Sequence, residues 1–413
     1  MSSQPCPSRP APVPGTPTTD AQGRSLIWLA ISVFLIALNL RTLFPSLSVI
    51  LPELMSATGL SASSASILTT LPVLCLGIFA IPAPALARRF GTERALMGAL
   101  VLLTLGLALR ATPSHALLFI ASAMGGAGIA MCNVLLPSLI KRDFGPWTAA
   151  MTGLFTMGLC GGAAVPAAAT QPLRDMLGQS WMAALAIWAV PALVAALVWA
   201  PRAIRPVRIP RLTGQRPAGL WKNRLAWQVT LFMGLQSALA YIMMGWLPPM
   251  LRERGMAADT AGYVMGVAIF LQVVSTLAIP PLASRLRNQS LLAVAITATT
   301  TLSFIASLTL PLGTVWLWCS LLGLGLGASI ALAIMLIVLR SSDNHTTAQL
   351  SGMAQGIGYM IAAAGPLLAG ILHDITGTFE QAVYLILAIG VAQGTCGYGA
   401  GRSRQVSAGT AHD

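Results

Sequence analysis

Twelve apolar runs follow one another through the 413 residues, each long enough to cross a bilayer. To within a few residues they span 26–52, 61–84, 94–112, 115–139, 147–169, 181–200, 225–250, 260–283, 290–310, 314–339, 346–372 and 379–400. A helix needs about 20 such residues to cross a hydrocarbon core about 30 Å thick. Only 8% of the chain is charged, against about 25% in a soluble domain. So few charges cannot cover a water-facing surface, and lipid must meet the apolar side chains instead. The fold class read from this is an all-α membrane protein of twelve transmembrane helices, with the lipid bilayer as its partner. Pro45, Pro72, Pro166 and Pro366 lie inside runs, where neighbouring helices satisfy the backbone groups they free.

The net charge of +13 invites a nucleic-acid partner, but the Lys and Arg residues cluster between apolar runs without interleaved aromatics. No nucleic acid is expected. With the N-terminus inside, nineteen of the 24 basic residues fall in inner segments; Arg110, Arg174, Arg252 and Arg254 fall in outer loops, and Arg41 lies within a span. This bias puts both termini in the cytoplasm. Residues 1–25 form a Pro-, Ser- and Thr-rich tail unable to bury enough apolar area to fold. The run that follows is too long for a signal peptide and is read as a retained first helix. The remaining divisions are a six-helix half at 26–200, a basic linker at 201–224, a second half at 225–400 and a tail at 401–413. The linker is read as a topology determinant rather than a lipid head-group site. The cysteines at 6, 75, 132, 160, 319 and 396 show neither metal nor disulfide spacing.

The halves repeat. Leu51-Pro52, Gly59-Leu60, Ala62 and Ala65 align at a constant offset of 196 with Leu247-Pro248, Gly255-Met256, Ala258 and Ala261. Pro84, Leu86, Ala87 and Arg89 align likewise with Pro280, Leu282, Ala283 and Arg285. Two six-helix halves in the same orientation resemble the parallel repeat of the major facilitator fold, whose substrate sits near the midplane between them. The segment from Pro84 to Arg94 resembles that fold's conformational loop, with Arg89, Gly91, Glu93 and Arg94 retained, Arg88 where an Asp is usual, and Arg285 as the repeat partner. Glu93 is close enough in sequence to pair with one of the loop arginines.

Arg41 is the one basic residue well inside a span, and a charge there costs several kcal/mol unless paired or wet. It is expected to face a central cavity. All eleven acids and all four histidines lie in tails, loops or helix ends, so no buried carboxylate is available to trade a proton for a cation. An unpaired arginine without an acid suits an anionic or neutral polar substrate. Asn39, Asn133, Gln236, Tyr241, Trp246, Gln272, Gln355 and Tyr359 are further candidate lining residues, each equally readable as interhelical glue. The glycine clusters 125–128 and 323–327 lie inside apolar spans, with no strand before them, so they are read as close helix packing rather than nucleotide loops. Without a phosphate loop, a metal cluster or a nucleophile–base pair, neither a cofactor nor an intramembrane enzyme is indicated.

Five stretches carry a family resemblance: Asn39-Leu-Arg41, Asn133 to Phe144, Trp246 to Gly255, Ser351 to Tyr359 and Gly365 to Asp374. The chain resembles the cyanate / 2-nitroimidazole transporter family of the major facilitator superfamily over about residues 26–400. The resemblance implies a bacterial inner-membrane porter, by default a monomer, moving a small anion or a small polar heterocycle. Here Thr42-Leu-Phe-Pro45 follows Arg41 where the family commonly has Pro directly after the arginine, so the helix break is displaced. An efflux pump for small hydrophobic toxic compounds is the alternative.

Overall fold

The computed structural model describes residues 19–204, 220–342 and 344–406. Most of the predicted N-terminal tail, the middle of the basic linker and the last residues of the C-terminal tail lie outside the described residues.

Sixteen α-helices are formed among the described residues. They are α1 (Thr19–Asn39), α2 (Leu43–Val49), α3 (Leu51–Thr58), α4 (Ala62–Ala80), α5 (Ala83–Phe90), α6 (Thr92–Leu109), α7 (His115–Phe144) and α8 (Thr148–Met176), then α9 (Trp181–Ala186), α10 (Ala189–Ile204), α11 (Arg224–Glu253), α12 (Ala258–Arg285), α13 (Ser290–Thr309), α14 (Val315–Leu339), α15 (Asn344–Thr376) and α16 (Ala382–Ala400). They make twelve membrane-length spans, the first from α1 and α2 together and the sixth from α9 and α10. Large apolar side chains such as Ile81, Phe270, Leu291 and Tyr384 stand exposed on the outside of the bundle, as lipid requires.

The spans form two six-helix halves. Within the first, α6 packs on α7 and α10; within the second, α12 packs on α14 and α11 on α16. The halves meet where α4 lies against α15, α8 against α12 and α2 against α11. Small residues set the spacing inside each half. A Cβ on Gly128 would sit 2.5 Å from the Ala99 carbonyl oxygen, one on Gly323 2.1 Å from that of Ala268, and one on Gly327 2.2 Å from that of Gln272. Both glycine clusters therefore serve backbone-to-backbone packing.

The repeat is visible in the backbone. Gly59 and Gly255, 196 residues apart, end α3 and follow α11 with φ of 71° and 95°, a region other residues enter at a cost. The loop segment from Pro84 is mostly helical: it forms α5 and ends at Gly91. Glu93 is fully buried, and its partner is not a loop arginine but Arg142 at the end of α7, at 2.6 Å. Asp143 beside it holds Arg202 of α10, and the Trp199 indole donates to the Glu93 carbonyl at 3.0 Å. This network ties α6, α7 and α10 inside one half. Arg89 lies over the Phe90 ring, and Arg94 and Arg285 are exposed.

At the other end of the bundle, bonds run between the halves. Arg252 of α11 donates to Glu53 of α3 at 2.8 Å and to the Val49 carbonyl at 3.2 Å. Asp374 of α15 accepts the backbone N–H groups of Ala62 and Ser63 at 2.8 and 2.6 Å, capping the first turn of α4 from the opposite half. The Ser48 hydroxyl donates to the Gly245 carbonyl at 2.9 Å. This Glu53 end is closed.

Candidate functional site: an arginine at a broken helix

The first span breaks at Leu40-Arg41-Thr42. The cause is Pro45, whose ring lacks an N–H and clashes with the carbonyl four residues back, which is that of Arg41. That carbonyl instead accepts the Phe44 N–H in a tighter turn at 3.4 Å. The displaced proline of the sequence thus still breaks the helix at the arginine. Thr42 braces the break by donating to the carbonyls of Leu38 and Gly162, at 3.0 and 3.1 Å. Gly162 of α8 lies so close that a Cβ there would fall 1.8 Å from the Leu38 carbonyl oxygen.

The break aims Arg41 between the halves. Its guanidinium reaches the Met244 sulfur of α11 at 3.9 Å and lies within electrostatic reach of Tyr241, Tyr359 and Cys160. The rings of Tyr241 and Tyr359 have centroids 6.4 Å apart, and Phe44 leans on Tyr241 at 5.3 Å. The side chains around Arg41 therefore come from the first span, α8, α11 and α15. None of the ion pairs among the described residues includes Arg41.

Of the residues picked from sequence, Arg41, Tyr241 and Tyr359 come together here. Asn39 points away, donating to the carbonyls of Leu35 and Pro191 at 2.8 and 3.3 Å. Trp246 donates to the Pro366 carbonyl at 2.9 Å and packs on Phe379, joining α11 to α15 as glue. Gln236 donates to Ser237 at 2.7 Å, and Gln355 is exposed and donates to Ser351 one turn back at 2.8 Å. Gln272 is buried on α12 and Asn133 partly buried on α7. Sequence reasoning missed Phe44, Met244 and Cys160, although Met244 lies three residues beyond Tyr241 and so shares its helix face. It also counted Arg110 among the outer-loop charges. Arg110 instead turns inward and is 1% exposed, donating to the Leu43 carbonyl at 3.0 Å and to the Ser46 hydroxyl at 3.2 Å.

The family model described as "Major Facilitator Superfamily" matches residues 29–370. The 2-nitroimidazole transporter of Escherichia coli (strain K12) is 34% identical over 95% of this chain and 100% of that protein. The cyanate transport protein CynX of the same organism is 30% identical over 86% of this chain and 93% of its own length. The chain belongs to the cyanate and 2-nitroimidazole transporter family of the major facilitator superfamily. As a major facilitator protein it is a multi-pass membrane transporter, not an enzyme. Solved structures share the fold at low identity. The crystal structure of the D-xylose-proton symporter superposes with a TM-score of 0.68 at 14% identity, covering 90% of this chain and 97% of that one. A bacterial homologue of the human lysosomal transporter Spinster, in an inward-facing and unoccupied conformation, gives 0.66 at 16% identity over 91% and 94%.

Proposed function

We propose that this protein is a secondary transporter for a small anion or small polar solute, cyanate-like or nitroimidazole-like, and that it works by alternating access with Arg41 as the anion ligand. One observation carries the reading: a guanidinium at the junction of the halves has a thioether and two phenol rings for company and no carboxylate partner among the described residues. Arginine offers five N–H donors in a fixed fork, which suits a planar or linear anion better than a sulfur contact. The walls of Phe44, Tyr241, Tyr359 and Met244 would accept the flat face of a heteroaromatic ring while the guanidinium meets its nitro oxygens. Two relatives named for such solutes support the same chemistry. In this reading the Glu53 end faces outward and both termini lie in the cytoplasm, which the charge bias of the loops supports; the family resemblance supports a bacterial inner membrane and a monomer as the working unit.

The test is thermal stabilisation of the detergent-purified protein by cyanate, nitrite, nitroimidazoles and cationic dyes, on wild type and Arg41→Ala. A ligand of the folded state raises its melting temperature. Anions or nitroimidazoles should shift wild type, while Arg41→Ala should need about tenfold or more ligand, the value of one charge-assisted hydrogen bond. Equal shifts of both proteins by cationic or apolar compounds alone would overturn the assignment and favour drug efflux.

A further inference from the structure

Besides the half-buried Arg41 within it, the first span has a fully buried cation packed against it. Arg110 follows the last residue of α6, yet its side chain is 1% exposed. Its described hydrogen-bond partners are both neutral, the Leu43 carbonyl and the Ser46 hydroxyl. None of the ion pairs among the described residues includes it. Capping one carbonyl does not explain a full charge in this position, since a neutral donor could do so without the desolvation cost.

The surroundings are those of a site. Arg110 lines a cavity with Phe44, Leu68 and Thr69 from the first half and Tyr241 and Gly245 from the second. The cavity measures about 10 Å³, room for about one water. Leu43 and Ser46 lie two and five residues beyond Arg41, a rise of about 3 and 8 Å along a helix. Arg110 therefore sits farther along the first span than Arg41, toward the closed Glu53 end. The touching rings of Phe44 and Tyr241 belong to both places: Tyr241 faces Arg41, and both rings line the Arg110 cavity.

We propose that Arg110 is a second binding position for a small monovalent anion, reached when the Glu53 end opens, from which the anion passes between Phe44 and Tyr241 to Arg41. The inference rests on the anion reading of Arg41. In the closed arrangement the second position has shrunk to the volume of a water, so the anion is held at Arg41 alone. Two cations in series along the path give the anion a stepping stone, and neither has a neutralising carboxylate among the described residues.

The experiment measures charge selectivity at the cavity itself, with no substrate required. Thr69→Cys is introduced into a chain whose six native cysteines are replaced by alanine. Oriented membrane vesicles present each face in turn to an anionic and to a cationic methanethiosulfonate of similar size. The readout is the ratio of the two modification rates, corrected by the ratio for a free thiol. Arg110→Gln should lower the anionic preference by about tenfold or more, since Arg110 and Thr69 line the same small cavity and a unit charge is poorly screened across it. Arg110→Lys should keep the preference. Millimolar cyanate should slow the anionic reagent in the parent and in Arg41→Gln, and not in Arg110→Gln. An unchanged ratio in Arg110→Gln, or no reaction at position 69 from either face, would overturn the proposal. A purely structural Arg110 would slow or speed both reagents together and leave the ratio alone, which also overturns it. Failure of the Arg41 reading looks different: cyanate stabilises Arg41→Ala as well as wild type, while the ratio at position 69 is unaffected.

Discussion

Glu53 in the first half and Arg252 in the second meet at 2.8 Å, with 15% and 22% of their side chains exposed. Arg252 spends the same Nη1 on the Val49 carbonyl, so it grips both side chain and backbone of the opposite half. Arg174 of α8 approaches the other Glu53 oxygen at 3.4 Å and balances the charge from within the first half.

Replacing Arg252 by Gln should loosen this end. A partly buried charged hydrogen bond contributes about 1–2 kcal/mol, which shifts a two-state population about five- to thirtyfold. Spin labels at the exposed Ser56 and Ala257 flank the closure from the two halves. Their pulsed-resonance distance distribution should gain a longer component in Arg252→Gln. A distribution identical to that of wild type would show the pair to be ornamental.

Asp374 offers a second handle at the same end. Its carboxylate accepts from the N–H groups of Ala62 and Ser63 across the seam. Asp374→Ala should favour separation by about 1 kcal/mol, the usual value of a lost helix cap. Asp374→Asn keeps an acceptor and should fall between. The same label pair reads both, and the order wild type, Asn, Ala is the expected result.

Two glycines of α8 make a matched comparison. A methyl on Gly162 would lie 1.8 Å from the Leu38 carbonyl oxygen, whereas one on Gly153 meets nothing within 4 Å. Gly162→Ala must push α8 off the first span, an overpacking cost of about 1–3 kcal/mol or more. Gly153→Ala should stay within about 0.5 kcal/mol of wild type. Melting of the purified variants separates them, and equal melting temperatures would mean that the break at Arg41 tolerates a wider gap.

Glu93 is fully buried and depends on Arg142. Arg142→Ala leaves that carboxylate unpaired and should cost about 3–5 kcal/mol. Glu93→Gln together with Arg142→Gln removes both charges and should melt well above the single Arg142→Ala variant. The comparison needs only thermal denaturation.

Much of the architecture was legible because lipid imposes a length and a polarity on every crossing segment. The twelve runs, the break near Arg41 and the packing role of Gly125–Gly128 and Gly323–Gly327 all follow from local sequence. Repeat symmetry was legible in Gly59 and Gly255, since a turn that needs positive φ keeps its glycine. Partners distant along the chain were not. Glu93 finds Arg142 49 residues on, and Arg110 finds Leu43 and Ser46 67 and 64 residues back. Arg110 reads as a loop charge because it stands just past an apolar run; only the packing of α6 against its neighbours turns it inward. Asn39 and Trp246 have the polarity of ligands, but the carbonyls of Pro191 in the sixth span and of Pro366 in α15 hold them as braces.

Glycine also lines the seam between the halves. A Cβ on Gly370 would fall 1.5 Å from the Ser66 hydroxyl oxygen, one on Gly262 2.7 Å from the Ala167 carbonyl oxygen, and one on Gly77 3.0 Å from the Met360 side chain. The hollows at Gly370 and Gly77 are filled from the opposite half, by the Ser66 hydroxyl and the Met360 side chain, so the two halves mesh rather than glide. The seam behaves as a hinge with shallow teeth: the halves can part at one end by tilting, whereas sliding along its length would drag each side chain out of its glycine hollow.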